Sequence, residues 1–247
     1  MVARTLKTII PGSEDLAPGH DLARHRHLQP YAIVLIRGRF DQAGYAGRVR
    51  VHTGDLLIQP TLDAHANRMP GGRGATLLRL PWADIDGLGG VFELPDPDAV
   101  IRAAERDVRE AAAAARAQWA ASPQRCAAND LPDRLAAEIV DERVCSLAGW
   151  AAVLGVARET VARAFSAAFG VSARQFRAEL RARAAWLRIV RTRDRLAEIA
   201  AAGGFADQAH MTRAIRELTG ASPAAWRSDP RARAFCREAG ALRTRSG

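Results

Sequence analysis

Two stretches decide the reading of this chain: SLAGWAAVLGVARETVARAFSAAFGVSARQFRAELR at 146–181 and GGFADQAHMTRAIRELTGASPAAWR at 203–227. Leu196, Ile199, Ala200 and Gly204 repeat Leu147, Trp150, Ala151 and Gly155 at an offset of 49, which becomes 50 after a one-residue insertion. Phe165 to Arg177 then aligns with Ile215 to Arg227 in apolar class, with Gly170 over Gly220, Ser172 over Ser222 and Phe176 over Trp226. Such self-similarity at a fixed period marks a repeated supersecondary unit.

The unit itself is helical. Leu147, Trp150, Ala151 and Leu154 follow the i, i+3, i+4, i+7 spacing of an amphipathic helix, which Gly155 ends. A second helix starts near Ala157 and carries Val161, Phe165 and Ala168 on one face. Two helices joined by so tight a turn form a helix-turn-helix, and the repeat supplies two of them. Between them, Ser172 to about Arg191 reads as one long helix with Phe176, Leu180, Ala184 and Leu187 on its buried side. About 20 residues at about 1.5 Å each span about 30 Å, close to one DNA turn of about 34 Å. Trp150, Phe165, Phe176, Leu196, Ile199, Phe205, Met211, Ile215 and Trp226 are core by periodicity.

Charge points the same way. The 247 residues carry a net charge of +9, and 48% are hydrophobic, which excludes disordered and fibrous classes. Residues 1–130 contribute +1 and residues 131–247 contribute +8, so the excess lies with the repeat. A basic surface attracts a polyanion. Only Lys7 among the 36 basic residues is a lysine, so base composition of the genome is a second source of the arginines.

The paired stretches resemble the tandem helix-turn-helix domain of AraC/XylS-type transcriptional regulators over residues 130–230. Ile215 stands where that family usually has Phe, and Ala173 where a Pro is common. The resemblance implies a non-enzymatic, sequence-specific DNA-binding regulator acting on double-stranded promoter DNA, with RNA polymerase and a small-molecule effector as further partners. Base contacts belong on the exposed N-terminal face of each recognition helix. These are Arg158, Glu159, Ala162 and Arg163 in the first unit and Asp207, Gln208, His210, Thr212 and Arg213 in the second. Arg174, Arg177 and Arg227 are the phosphate candidates, with Arg181 and Arg188 near the first two.

Working toward the N-terminus, residues 96–129 read as a helical connection. The run at 98–121 has no internal Gly or Pro and a weak apolar stripe at Val100, Ala103, Val108 and Ala111, suited to the barrel or to a homodimer. Residues 1–95 have short apolar runs at 31–36, 48–51, 55–58 and 75–80 between Gly, Pro and Asp, the pattern of a small β-barrel or sandwich. The expected architecture is α+β with two domains, a β-barrel before an all-α half, and residues 231–247 form a basic tail.

His25-Arg-His27, and Gly54 to Pro60 followed by His65, resemble a small cupin barrel, the sensor domain of many such regulators. His25, His27 and His65 are therefore candidate ligands for a divalent metal, since imidazole suits Zn, Fe, Ni or Cu. Gln29-Pro30-Tyr31 stands where a cupin has its Glu. A metal-dependent cupin enzyme is the rival reading. A DNA-repair protein would need a reactive cysteine and often a four-cysteine zinc site, against which stand three scattered cysteines, Cys126, Cys145 and Cys236. No apolar run is long enough for a membrane span, so a soluble, cytoplasmic protein is expected.

Overall fold

The computed structural model describes residues 6–7, 11–19, 21–69, 74–83, 85, 87–144 and 146–230. The basic tail, Cys145 and Cys236 lie outside these residues. The apolar runs become strands within two five-stranded sheets. In chain order these are β1 (Leu6–Lys7), β2 (Gly12–Leu16), β3 (Leu22–His27), β4 (Tyr31–Arg37), β5 (Arg39–Gly44), β6 (Gly47–His52), β7 (Asp55–Gln59), β8 (His65–Arg68), β9 (Ala75–Pro81) and β10 (Gly90–Glu93). One sheet runs β1-β3-β8-β5-β6 and the other β10-β7-β4-β9-β2. Between them Ile33, Leu35, Leu57 and Leu77 of the second sheet meet Phe40 and Val51 of the first.

The YAIVLI run is apolar at successive positions because β4 is covered on both faces. Ile33 and Leu35 face the space between the sheets, while Ala32 and Val34 face outward onto helices. Those helices are α1 (Pro97–Ala104) and α2 (Val108–Trp119). The single helix expected at 98–121 is thus two. Asp107 adopts an extended backbone and its carboxylate accepts the N–H groups of Arg109 and Glu110, starting α2 afresh. Ala103, Ala111, Ala112 and Ala115 lie against Ala32, Val34, Leu56, Ile58 and Trp82. The stripe offered for dimerisation is therefore covered by the barrel of the same chain. The segment after α2 follows the barrel edge: Arg125 N–H donates to Val91 O, Ala128 N–H donates to Arg48 O, and the Arg125 guanidinium pairs with Asp55 at 2.7 Å.

The remaining helices are α3 (Leu131–Val140), α4 (Leu147–Val153), α5 (Arg158–Phe169), α6 (Ala173–Arg191), α7 (Leu196–Ala202), α8 (Gln208–Thr219) and α9 (Pro223–Ser228). The sequence repeat is a structural one: α4 and α7 each have 7 residues, and α5 and α8 each have 12. Gly170 and Gly220 close α5 and α8 at φ 70° and 81°, a left-handed conformation that favours glycine. Ser172 and Ser222 then cap α6 and α9 by accepting the N–H groups of Gln175 and Ala225.

Phe165, Phe169, Phe176 and Val161 form the core of the first unit with α3. Trp186, Ile189, Ile199, Met211, Ile215 and Trp226 form that of the second. Trp150 and Leu196, expected in the core, are only half-buried. The indole N–H of Trp150 donates to Glu138 at 2.9 Å.

The buried side of α6 differs from the expected stripe. Ala184 is exposed and Leu180 and Leu187 are half-buried, while Glu179, Ala182, Arg183, Trp186 and Ile189 are buried. The reason is that α6 is enclosed by both helical units and by the barrel, so a single-sided pattern does not describe it. Among the described residues no helix is long and apolar enough to cross a membrane.

Candidate nucleic-acid interface and the barrel cluster

In α5, Arg158, Glu159 and Arg163 are exposed and Ala162 is half-buried. Arg158 Nε lies 3.9 Å from a Glu159 carboxylate oxygen, a loose exposed pair that solvent and salt screen. Nothing caps this helix: Ala157 has the extended N-cap backbone but no side-chain acceptor.

The start of α8 is more ordered. Asp207 accepts the N–H of His210 at 2.6 Å, so its carboxylate is engaged by its own helix. His210 is exposed, accepts the N–H of Ala206 on Nδ1 at 3.3 Å, and meets the Phe205 ring edge-on. Thr212 is half-buried and donates its hydroxyl to Gln208 O at 2.9 Å. Gln208 and Arg213 are exposed. The groups best placed to reach outward in this unit are thus Gln208, Arg213 and the His210 ring, while Asp207 and Thr212 shape the helix that carries them.

Of the phosphate candidates, Arg174 is exposed and Arg177 half-buried. Arg227 is half-buried and donates to Asp194 O at 2.7 Å. Arg188 pairs with Asp194 at 2.6 Å, holding that carboxyl below its usual range, and Arg181 stacks 5.9 Å over Phe205.

The three histidines of the barrel come together. His25 and His27 are two apart on β3 and share a face, and His65 is the cross-strand partner of His25 on β8. All three are buried, and their ligand nitrogens lie within 4.8 Å of one another. His25 Nδ1 is 2.8 Å from Ala23 O and His65 Nδ1 is 3.1 Å from Asp63 O. A ring that donates from Nδ1 to such a carbonyl presents Nε2 as its lone-pair nitrogen when neutral. That orientation by a backbone carbonyl is the usual support of a metal-bound imidazole. Burial, then the neighbouring His25 and His27, hold His65 well below its ordinary pKa and so neutral.

Tyr31 puts its hydroxyl 3.3 Å from His65 Nε2. Burial pushes that phenol above its ordinary pKa. A cavity of about 200 Å³ adjoins His25, His27 and Tyr31, and the Glu14–Arg79 ion pair is part of its lining. Three clustered imidazoles with a phenol beside them fit a borderline divalent cation.

Sequence reasoning missed the joint between barrel and helices. Glu179 of α6 accepts from Arg24 at 3.2 Å and from the Tyr45 hydroxyl at 3.3 Å, and its other oxygen lies 3.5 Å from Arg26. Arg26 also donates to Leu218 O in the last turn of α8, where carbonyls lack helical partners. Arg183 donates to Thr61 O and Gly87 O. A signal was present: Glu179 and Arg183 continue the Phe176, Trp186, Val190 stripe, so two charges occupy apolar register.

Residues 150–229 match a family model described as a helix-turn-helix domain. No curated protein matches the chain. Solved structures that it resembles include ToxT from Vibrio cholerae O395, at 9% identity over 88% of this chain and 96% of that one, TM-score 0.39. The DNA-binding domain of AdpA in complex with a target DNA is 24% identical over 42% of this chain and 96% of that one, TM-score 0.38. The C-terminal domain of the response regulator AraT from Geobacillus stearothermophilus is 21% identical over 40% and 84%, TM-score 0.37.

Proposed function

Proceeding from the helix-turn-helix domain that residues 150–229 match, we propose that this chain is a sequence-specific transcription regulator of the AraC type that reads an asymmetric duplex site. The observation that carries the reading is a repeated frame presenting two different faces. Arg158, Glu159 and Arg163 lie on one recognition helix and Gln208, His210 and Arg213 on the other. Arg163 and Arg213 suit guanine O6 and N7, Gln208 suits adenine, and Glu159 suits the cytosine amino group. Arg174, Arg177 and Arg227 supply phosphate contacts, which position the protein without reading sequence.

The 19 residues of α6 give about 28 Å of rigid spacing, matched to successive major grooves on one DNA face. In this reading the strands and the helices of 96–129 form a sensing half, which controls recruitment of RNA polymerase at the promoter. The rival, a metal-dependent cupin enzyme, draws on the three histidines. The cavity beside them, about 200 Å³, is smaller than the roughly 300–1,000 Å³ of ordinary small-molecule sites, which favours an ion over a substrate.

The test is binding of the full chain to duplexes selected from random sequence, over a salt series. The expected result is a linear fall of log K with log salt, and Arg163→Ala and Arg213→Ala each relaxing preference at a different end of the site. A salt-independent affinity, or unchanged preference in both variants, overturns the proposal.

A further inference from the structure

Strand β3 has two faces with different business. His25 and His27 turn into the barrel beside His65, while Arg24 and Arg26, the residues interleaved with them, turn out to the helical half. We infer that the three histidines hold one first-row divalent metal ion of the zinc class, and that β3 transmits its binding to α6 and α8. This deepens the reading above by naming the sensor's input, and its DNA arm rests on that reading.

The chemistry of the donors selects the ligand. Three imidazoles, two of them oriented by backbone carbonyls, offer borderline nitrogen donors, which suit zinc-class ions better than calcium or magnesium. The geometry then supplies the motion. Metal–nitrogen bonds of about 2.0–2.1 Å place tetrahedral ligand atoms roughly 3.4 Å apart. The ligand nitrogens lie within 4.8 Å of one another across β3 and β8, so closing them onto that geometry takes up whatever slack remains between the two strands.

Any shift of β3 is felt outside the barrel, because Arg24 and Arg26 are buried against Glu179 and Arg26 also holds Leu218 O of the second recognition helix. Buried charges hydrogen-bonded at fixed geometry transmit displacement rather than absorb it, since separating them leaves a charge unpaired in the interior. Tyr31, bonded to His65 Nε2, is the group that gives way when the ion arrives.

The full-length chain, stripped of metal with a chelator, is titrated with Zn(II) and with Co(II), whose visible absorption reports a nitrogen-bound tetrahedral site. One equivalent per chain is expected, with at least a roughly 10–100-fold weaker site in His65→Ala and in His25→Ala, and no change in His52→Ala, an exposed control. No stoichiometric binding, or equal loss in the control, overturns the metal site and leaves a hydrogen-bonded histidine cluster.

For transmission, wild type should show a metal-dependent change in affinity for a selected duplex in the roughly 5–150-fold range, and DNA should change metal affinity by the same factor. Glu179→Gln, nearly isosteric, should bind metal normally but lose that dependence. Amide exchange around Glu179 and Leu218 gives the second readout, slowing on metal addition in wild type and not in Glu179→Gln. Metal binding with unchanged exchange and unchanged DNA affinity overturns the transmission. Metal binding and slowed exchange without any duplex binding uphold this inference and overturn the DNA-binding reading instead.

Discussion

The two helix-turn-helix units are built to one plan and finished differently. The helices α4 and α7, and α5 and α8, have equal lengths, the glycine and serine caps fall at equivalent positions, and Phe165 and Phe176 of the first correspond to Ile215 and Trp226 of the second. Every one of these four side chains is buried. Their outer faces share almost nothing beyond one arginine, Arg163 or Arg213. The second recognition helix is capped by Asp207 and tied to β3 through Arg26, while the first begins at an uncapped Ala157. The core of a repeat is held by packing, which tolerates only apolar groups of similar size, whereas the solvent side is free to diverge toward two different ligands.

The strongest way to probe that likeness is to remove the equivalent core residues. Phe165→Ala should destabilise by about 3–5 kcal/mol and Ile215→Ala by about 2–5 kcal/mol, read by denaturant midpoint. Costs differing by more than the ring-versus-aliphatic difference would show that the two cores are not equivalent in energy.

On the outer faces, Arg163→Ala and Arg213→Ala should each lose about 1–3 kcal/mol of discrimination at one base pair, at opposite ends of the site. Loss at the same position from both variants would break the two-half-site picture. A third comparison exchanges the caps. Asp207→Ala should cost about 1 kcal/mol, and Ala157→Asp, placed on a backbone already extended at φ −62°, should gain a comparable or smaller amount. The smallest effect is expected from Arg174→Ala, which should lower the salt slope of DNA binding by about 1 and leave sequence preference untouched.

Much of the helical half is legible in the chain because its determinants are local. Gly170, Ser172 and the apolar spacing act within one or two turns, so they repeat visibly when the structure repeats. The barrel is less legible. β4, β6, β7 and β9 follow from their apolar runs, but LARHRH in β3 and HANR in β8 carry the polar residues of the histidine cluster and do not read as strands. The break at Asp107 escaped because helix propensity on both sides is high and only the cap decides where α2 starts. At the candidate DNA face, exposure of Arg158, Arg163, Gln208 and Arg213 follows from helix phase. The capping role of Asp207 needed the backbone of its neighbours.

By itself, the sequence determined the tandem helix-turn-helix and most of the apolar positions of its two cores, because each depends on periodicity over a few residues. Only the tertiary structure decided that His25 and His27 share a face of β3 that His65 completes, that α1 and α2 cover the barrel, and that Arg24 and Arg26 hold Glu179 across 155 and 153 positions of chain. Those pairings join residues with no local relation. They exist because two charged guanidiniums brought out of water on one surface require a buried carboxylate at one place on the other, and packing fixes where that is.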